Sequence, residues 1–379
     1  MEEMKSQAAF AKGLEGVVAG ETKICFLDGI RGKLLYRGYD INDLAKTSTF
    51  EEVAYLLLME KLPTKQELNQ FSEQLKAERK IPQDVIDFLK KVPNNSHPMD
   101  VLRTTVSILA LHDIDTADIS LDATLRKAIR LTAQIPVALA YYHRIREGNE
   151  LIQPNNELGH AANFLYMMFG KVPSKDDEKI FDVALILHAE HEFNASTFAT
   201  RETISTLSDL HSAIVTAIGT LKGPLHGGAN ERVLTLLNNI GSIDAVDNYI
   251  RDALARKEKI MGFGHRIYKT VDPRAAILKG MAKQLCEKIG KPHLFEMSDK
   301  IEGLMKQAKN LHPNVDFYSA SVYHALGFPT DFFTPIFVVS RITGWSAHAL
   351  EQLADNRIIR PIAIYTGEMD KQFIPLDNR

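Results

Sequence analysis

Leu221-Lys-Gly-Pro-Leu-His-Gly-Gly-Ala-Asn230 is the stretch on which the reading of this 379-residue chain turns. Gly223-Pro224 and Gly227-Gly228 interrupt a sequence that is otherwise periodic at helical spacing on both sides. Upstream, apolar residues recur at helical intervals in Phe50–Leu58, in a segment starting at Pro63, and over 82–91, 98–112, 121–147, 157–169 and 175–220. Thr64 followed by Glu67 reads as a capping box. Downstream, the same pattern covers 229–239, 243–258, 272–289, 294–310 and 332–355. Strand signals are confined to Thr22–Leu27 and Lys33–Tyr36, which flank the turn sequence Asp28-Gly-Ile-Arg-Gly32. The tail beyond Ile359 reads as extended. The expectation is a mainly α-helical protein with a small N-terminal β-hairpin. Its hinge falls near 221–224, and the chain returns to the first unit near 325–332.

Composition sets bounds rather than function. A chain of this length can bury a large core and divide into more than one domain. Hydrophobic residues make up 45% and charged residues 25%, as in ordinary globular proteins. A formal charge of −3 gives no bulk electrostatic reason to bind nucleic acid. Cys25 and Cys286 form no disulfide framework or metal-type pair, which fits a reducing, cytoplasmic setting. No signal peptide is expected from Met1-Glu-Glu-Met-Lys-Ser-Gln7, and no apolar run is long enough to span a membrane.

Candidate chemistry lies in a few places. His226 precedes a helix start, where the positive end of the dipole disfavours protonation. A neutral imidazole there can donate to a developing oxyanion; the plain alternative is a turn histidine that caps the helix. His265 follows Gly262-Phe-Gly264, whose glycines allow a ligand close to the backbone. Lys259, Arg266 and Lys269 stand nearby as phosphate partners, or simply as the solvated flank of a loop. No third glycine completes a dinucleotide fingerprint and no GxxxxGK[ST] loop occurs, so Rossmann and P-loop readings are rejected. Asp316 follows Asn314, a candidate N-cap, and is either a dipole-complementing acid or a partly buried general base.

His188-Ala-Glu-His191 puts two histidines on one helix face. Without HExxH or a close cysteine, substrate binding or a satisfied core histidine is preferred to zinc. Arg274, Arg341 and Arg360 each adjoin a structure breaker or an apolar helix. Arg341, inside Phe337–Trp345, requires a partner for its charge: an internal carboxylate or a substrate carboxylate.

In combination, Gly223–Asn230, Gly262–Arg266 with Asp272-Pro-Arg274, and Pro313-Asn-Val-Asp316 resemble the citrate synthase family, which includes 2-methylcitrate synthases. The resemblance runs from Gly13-Leu-Glu-Gly and Tyr36-Arg-Gly-Tyr39 to Arg360-Pro361 and Tyr365-Thr-Gly367. It implies a two-domain, all-helical fold, with residues 1–221 and 326–379 in a large domain and 222–325 in a small one. It places the family's catalytic triad on His226, His265 and Asp316. It places oxaloacetate binding on His188, His191, Arg274, Arg341 and Arg360, the last reaching into the neighbouring subunit of a homodimer. Helices at 98–112 and 205–220 would suit that dimer interface.

Coenzyme A contacts fall, by the same resemblance, on Lys259, Ile260, Met261, Gly262, Phe263, Arg266 and Lys269. The implied activity is that of an acyltransferase that turns an acyl group into an alkyl group on transfer. Acetyl-CoA, oxaloacetate and water would give citrate and CoA, feeding the tricarboxylic acid cycle. The expected partners are those two substrates, with no cofactor, metal, nucleic acid or membrane. The long N-terminal extension of some larger members is not expected, nor is regulation tied to it. A 2-methylcitrate synthase using propionyl-CoA is the alternative within the family. A non-catalytic helical binding protein and a histidine-ligated metalloprotein are the alternatives outside it.

Overall fold

The computed structural model describes residues 10–379; the Met1–Gln7 stretch read for a leader lies outside the described residues. Three short antiparallel strands, β1 (Cys25–Asp28), β2 (Lys33–Tyr36) and β3 (Tyr39–Asp40), pair in the order β1-β2-β3. Sixteen α-helices follow. The first ten are α1 (Ile41–Thr47), α2 (Phe50–Met59), α3 (Lys65–Ala77), α4 (Gln83–Lys91), α5 (Pro98–His112), α6 (Leu121–Arg146), α7 (His160–Phe169), α8 (Lys175–His188), α9 (Ala195–Ser205) and α10 (Leu210–Leu221). The rest are α11 (Ala229–Ile240), α12 (Val246–Ala255), α13 (Pro273–Lys288), α14 (Pro292–Lys309), α15 (Val315–Ala325) and α16 (Phe333–Ala354).

Local signals explain most boundaries. Thr64 and Glu67 form the expected capping box at the start of α3. Pro98 opens α5 at a position where its missing N–H costs nothing. Asn314 accepts the Asp316 N–H and starts α15, as the N-cap reading anticipates.

The single helical run expected over 175–220 is instead three helices, broken at 189–194 and 206–209. Neither break contains glycine or proline. At the first, Glu192 adopts a left-handed φ of 53°, and Asn194 recaps the chain by accepting the Thr197 N–H. The Tyr36 phenol donates to the Glu190 carbonyl at 2.9 Å and accepts the Glu190 N–H at 3.3 Å. A side chain more than 150 positions away thus satisfies the backbone that the helix abandons.

Helix α16 is buried on all sides from Phe333 to Ala349 and packs against α2, α6, α8, α9 and α10, as an all-round apolar helix must. Helices α11 to α15 pack chiefly on one another, α13 against α15 most of all. The apolar core is continuous through both groups. No helix among the described residues is long and apolar enough to cross a membrane.

Candidate active site

His226 sits in the glycine-rich turn between α10 and α11, where its own N–H bonds to the Gly223 carbonyl at 2.9 Å. Its Nε2 accepts the Ser196 backbone N–H at 3.2 Å and lies 2.8 Å from the Ser196 hydroxyl. That leaves the ring proton on Nδ1. Ser196 is itself held, because its Oγ accepts the Trp345 indole N–H at 3.1 Å and faces Asn194 Oδ1 at 2.9 Å. The imidazole pKa is pushed down to about 4, first by burial and then by the Arg341 charge. The ring is therefore neutral, as anticipated, and desolvation and a neighbouring cation account for it.

His265 has the opposite tautomer. Its Nδ1 accepts two backbone N–H groups, from Ile267 at 3.0 Å and Tyr268 at 3.1 Å, so Nε2 carries the proton. Burial, then the Arg274 charge, lower its pKa to about 4. The loop that carries it is tied down at two places. Gly264 N–H bonds to the His312 carbonyl at 3.0 Å and Asn314 N–H to the Gly262 carbonyl at 2.9 Å, joining it to the start of α15. On its other side Lys269 N–H bonds to the Gly29 carbonyl at 2.8 Å, docking it on the β1-β2 turn.

Asp316 stands in the first turn of α15, whose start the Asn314–Gly262 hydrogen bond ties to the loop that carries His265. Its Oδ1 is shut off from solvent with no hydrogen-bond partner. Burial raises its pKa to about 7, against the opposing charges of Arg274 and Arg341. An unpartnered buried carboxylate is costly and is the expected state of a general base before its substrate arrives.

The remaining predicted groups sort into three kinds. His191 lies in the break after α8, its ring centroid 5.1 Å from that of His265. Burial, then Arg274, His265, Arg341 and His226, all hold its pKa down, which places these groups around one space. His188, fully buried at the end of α8, donates Nδ1–H to the Ala184 carbonyl at 2.7 Å and leaves Nε2 unpartnered. Arg341 is buried in α16, donates Nε–H to the His188 carbonyl at 2.7 Å and lies over the Phe337 ring. No carboxylate lies within ion-pair distance of it among the described residues. The internal salt bridge offered as its plain reading is absent.

Arg274 differs: its Nε and Nη2 grip Asp272 at 3.0 and 2.8 Å in a buried fork, so only part of its guanidinium remains for a ligand. Arg360 is not brought to this chain's site by any hydrogen bond or ion pair; it stands exposed in the extended tail.

The segment expected to meet coenzyme A splits by exposure. Lys259, Arg266 and Lys269 are exposed and Met261 half-buried, while Ile260 and Phe263 belong to the core. Phe263 packs on Phe317 at 4.6 Å between centroids. Gly262 is at φ 81°, and an added Cβ would lie 2.8 Å from the Phe317 ring. Its glycine requirement comes from packing rather than from a ligand's approach. Several contributors were missed from the sequence. Ser196 is not among the residues singled out in the sequence, and Asp272 enters there only as part of Asp272-Pro-Arg274. Glu190 escaped notice too; buried, it pairs with His348 at 2.9 Å. The three share no sequence signal, since each stands among polar neighbours in 188–192, 194–197 and 269–274.

Two neutral imidazoles of fixed and opposite tautomer, a carboxylate with a desolvated oxygen and an unpaired buried arginine suit the removal of a proton from carbon beside a bound anion. A family profile described as citrate synthase, C-terminal domain, matches residues 13–362. Citrate synthase 2 of Bacillus subtilis (strain 168) is 50% identical over 97% of this chain and 99% of its own. The 2-methylcitrate synthase of Shewanella oneidensis is 46% identical over 97% of each. A solved citrate synthase of the thermophilic archaeon Thermoplasma acidophilum, in ternary complex with carboxymethyl coenzyme A and oxaloacetate, superposes with a TM-score of 0.94 at 34% identity, covering 98% of this chain and 100% of its own. The chain belongs to the citrate synthase family.

Proposed function

We propose that the protein condenses acetyl-CoA with oxaloacetate and water to give citrate and CoA. The observation that carries this is Asp316, whose Oδ1 is shut off from solvent without a partner and whose pKa stands near 7, in the field of the same Arg274 and Arg341 that hold the His265 and His226 imidazoles neutral. Asp316 takes a proton from the thioester methyl group while His226 Nδ1–H donates to the forming enol oxygen. The enol carbon attacks the ketone carbon of oxaloacetate, and His265 Nε2–H supplies the proton to the new alkoxide. Water then cleaves the citryl thioester and CoASH leaves. Arg341, with Arg274 and His191, holds the dicarboxylate so that its ketone faces the nucleophile.

The second reading, a 2-methylcitrate synthase taking propionyl-CoA, is favoured by the Shewanella relative. One methylene in an acyl pocket is worth only about 1–3 kcal/mol, so both acyl groups are reasonable substrates. A thiol-release assay with oxaloacetate and each acyl-CoA separates the readings by their kcat/KM values. Release from neither thioester would remove the proposal.

The assembly and motion belong to the same proposal. Residues 222–325 form the small domain that closes on the large one, 1–221 with 326–379, excluding water from the thioester. Lys259, Arg266 and Lys269 meet the coenzyme A phosphates. The active form is a cytoplasmic homodimer in which the tail delivers Arg360 to the partner's site. Exposed Ile358, Ile362, Ile364, Phe373 and Leu376 along that tail support it, as does Leu111 at the end of α5. Size-exclusion chromatography with light scattering tests the dimer, and activity from mixing Arg360→Ala with Asp316→Asn subunits tests the shared site.

A further inference from the structure

Tyr268 touches both imidazoles of the oxaloacetate site, yet no reading of the sequence singled it out. It is buried, with 4% of its surface exposed. Its backbone N–H donates to His265 Nδ1 at 3.1 Å. Its ring lies against the His265 ring, with centroids 4.7 Å apart, and meets the His191 ring edge-on at 5.6 Å. Its hydroxyl is 3.3 Å from His191 Nε2, and among the described residues it has no other hydrogen-bond partner. His191 likewise makes no other side-chain hydrogen bond there. Two groups that are otherwise unbonded are thus paired in the middle of the site.

We propose that Tyr268 is a positioning residue for oxaloacetate: its phenol O–H donates to His191 Nε2, and so turns the remaining N–H of His191, on Nδ1, toward the bound dicarboxylate. The assignment of donor follows from chemistry. A neutral imidazole has one donor and one acceptor nitrogen, and a phenol that donates to the acceptor leaves the donor for the ligand. Burial raises the phenol pKa and lowers that of His191, so both partners are neutral in the working range. An unconstrained His191 could flip or change tautomer and meet the substrate with a lone pair, which a carboxylate or ketone oxygen repels. The backbone N–H of the same residue, together with that of Ile267, fixes His265 with its proton on the other nitrogen. One residue would therefore set the donor face of two histidines, by its backbone for one and by its side chain for the other. The inference rests on the oxaloacetate reading of the site and names a residue which that reading did not contain.

Tyr268→Phe keeps the backbone N–H and both ring contacts and deletes only the hydroxyl. Losing one hydrogen bond of this kind is worth about three- to ten-fold in an equilibrium constant. The expected result is a KM and a calorimetric Kd for oxaloacetate raised by that factor. KM for acetyl-CoA should stay within two-fold and the melting temperature within a degree or two. A merely space-filling tyrosine would leave oxaloacetate binding untouched, so equal Kd values in wild type and variant overturn the inference while the condensation reading stands. Wild-type protein that neither binds oxaloacetate nor releases thiol defeats that reading, and the inference with it.

Discussion

Arg341, His188 and Asp316 stand on three helices and are short of partners, whereas His265 and Tyr268 stand on a loop whose backbone is tied on two sides. In the first region the scaffold supplies rigidity and the side chains are left unsatisfied: a buried cation with no carboxylate at ion-pair distance among the described residues, a buried Nε2 and a buried Oδ1. In the second the side chains are modest and the backbone does the holding, through Gly264–His312 and Asn314–Gly262 on one side and Lys269–Gly29 on the other. Helices can carry electrostatic cost because their own hydrogen bonds are complete. A loop cannot, and must first be anchored before it can aim a side chain. The site therefore combines stored electrostatic strain from the helices with borrowed geometry in the loop.

The helical side of this contrast breaks hardest if Asp316 is neutralised. Asp316→Asn should lower kcat by about 100- to 10,000-fold, the range for loss of a general base. In the wild type, kcat/KM should rise with pH through about 7 as the carboxyl ionises, since the His226 and His265 imidazoles are already neutral above about 4. The same group predicts the sign of a stability effect. Its folded pKa is raised above the unfolded value, so its contribution to stability is complete below about 4 and is lost as pH rises through about 7. Asp316→Asn should therefore melt above the wild type at pH 8, with the gap closing toward pH 4. A variant that melts lower at pH 8 would show that the carboxylate is better satisfied than its empty Oδ1 indicates.

His226→Ala removes the donor proposed for the enol oxygen and should cost roughly 100- to 1,000-fold in kcat. Arg341→Leu should raise the oxaloacetate KM by about 100-fold, because a desolvated cation that grips a carboxylate is worth several kcal/mol when truncated. It should leave stability unchanged or improved, since an unpaired buried charge is replaced by an apolar side chain. Chemical denaturation of the ligand-free protein checks the second half. A large loss of stability would mean that Arg341 is paired within the fold after all.

The same contrast governs how much was legible in the sequence. His226, His265 and Asp316 could be found because glycine, proline and Asn314 punctuate the chain beside them. The capping box at Thr64 and the β1-β2 hairpin are equally local and came out as read. The break at 189–194 was invisible because its stabilisation comes from Tyr36 and from a left-handed Glu192, not from a breaker residue. The Arg274–Asp272 fork lay in plain view, but no rule of spacing says whether an arginine grips its neighbour or a ligand. The packing demand on Gly262 was not legible, since only the fold shows that Phe317 fills the space where its Cβ would be. Elements set by neighbours in the chain were readable; those set by side chains from a distant element were not.

The loop side of the comparison yields the smallest expected effect, and the most local one. Gly29, at the tip of the β1-β2 turn, lies so close to Ile267 that an added Cβ would overlap that residue's carbonyl oxygen and carbon. Backbone cannot yield as a flexible side chain does, so Gly29→Ala must push the 265–271 loop away from the turn and strain the Lys269–Gly29 hydrogen bond. Ile267 and Tyr268 supply the two N–H groups that orient His265, and a shift of this kind loosens both. A displacement of less than an ångström should lower kcat/KM by about ten-fold, given how steeply catalysis depends on placement. The turn is exposed around Ile30 and Arg31, so the melting temperature should fall by only a few degrees. Full activity in Gly29→Ala would show that the hairpin is a bystander and that the contact with His312 and Asn314 alone is enough to aim His265.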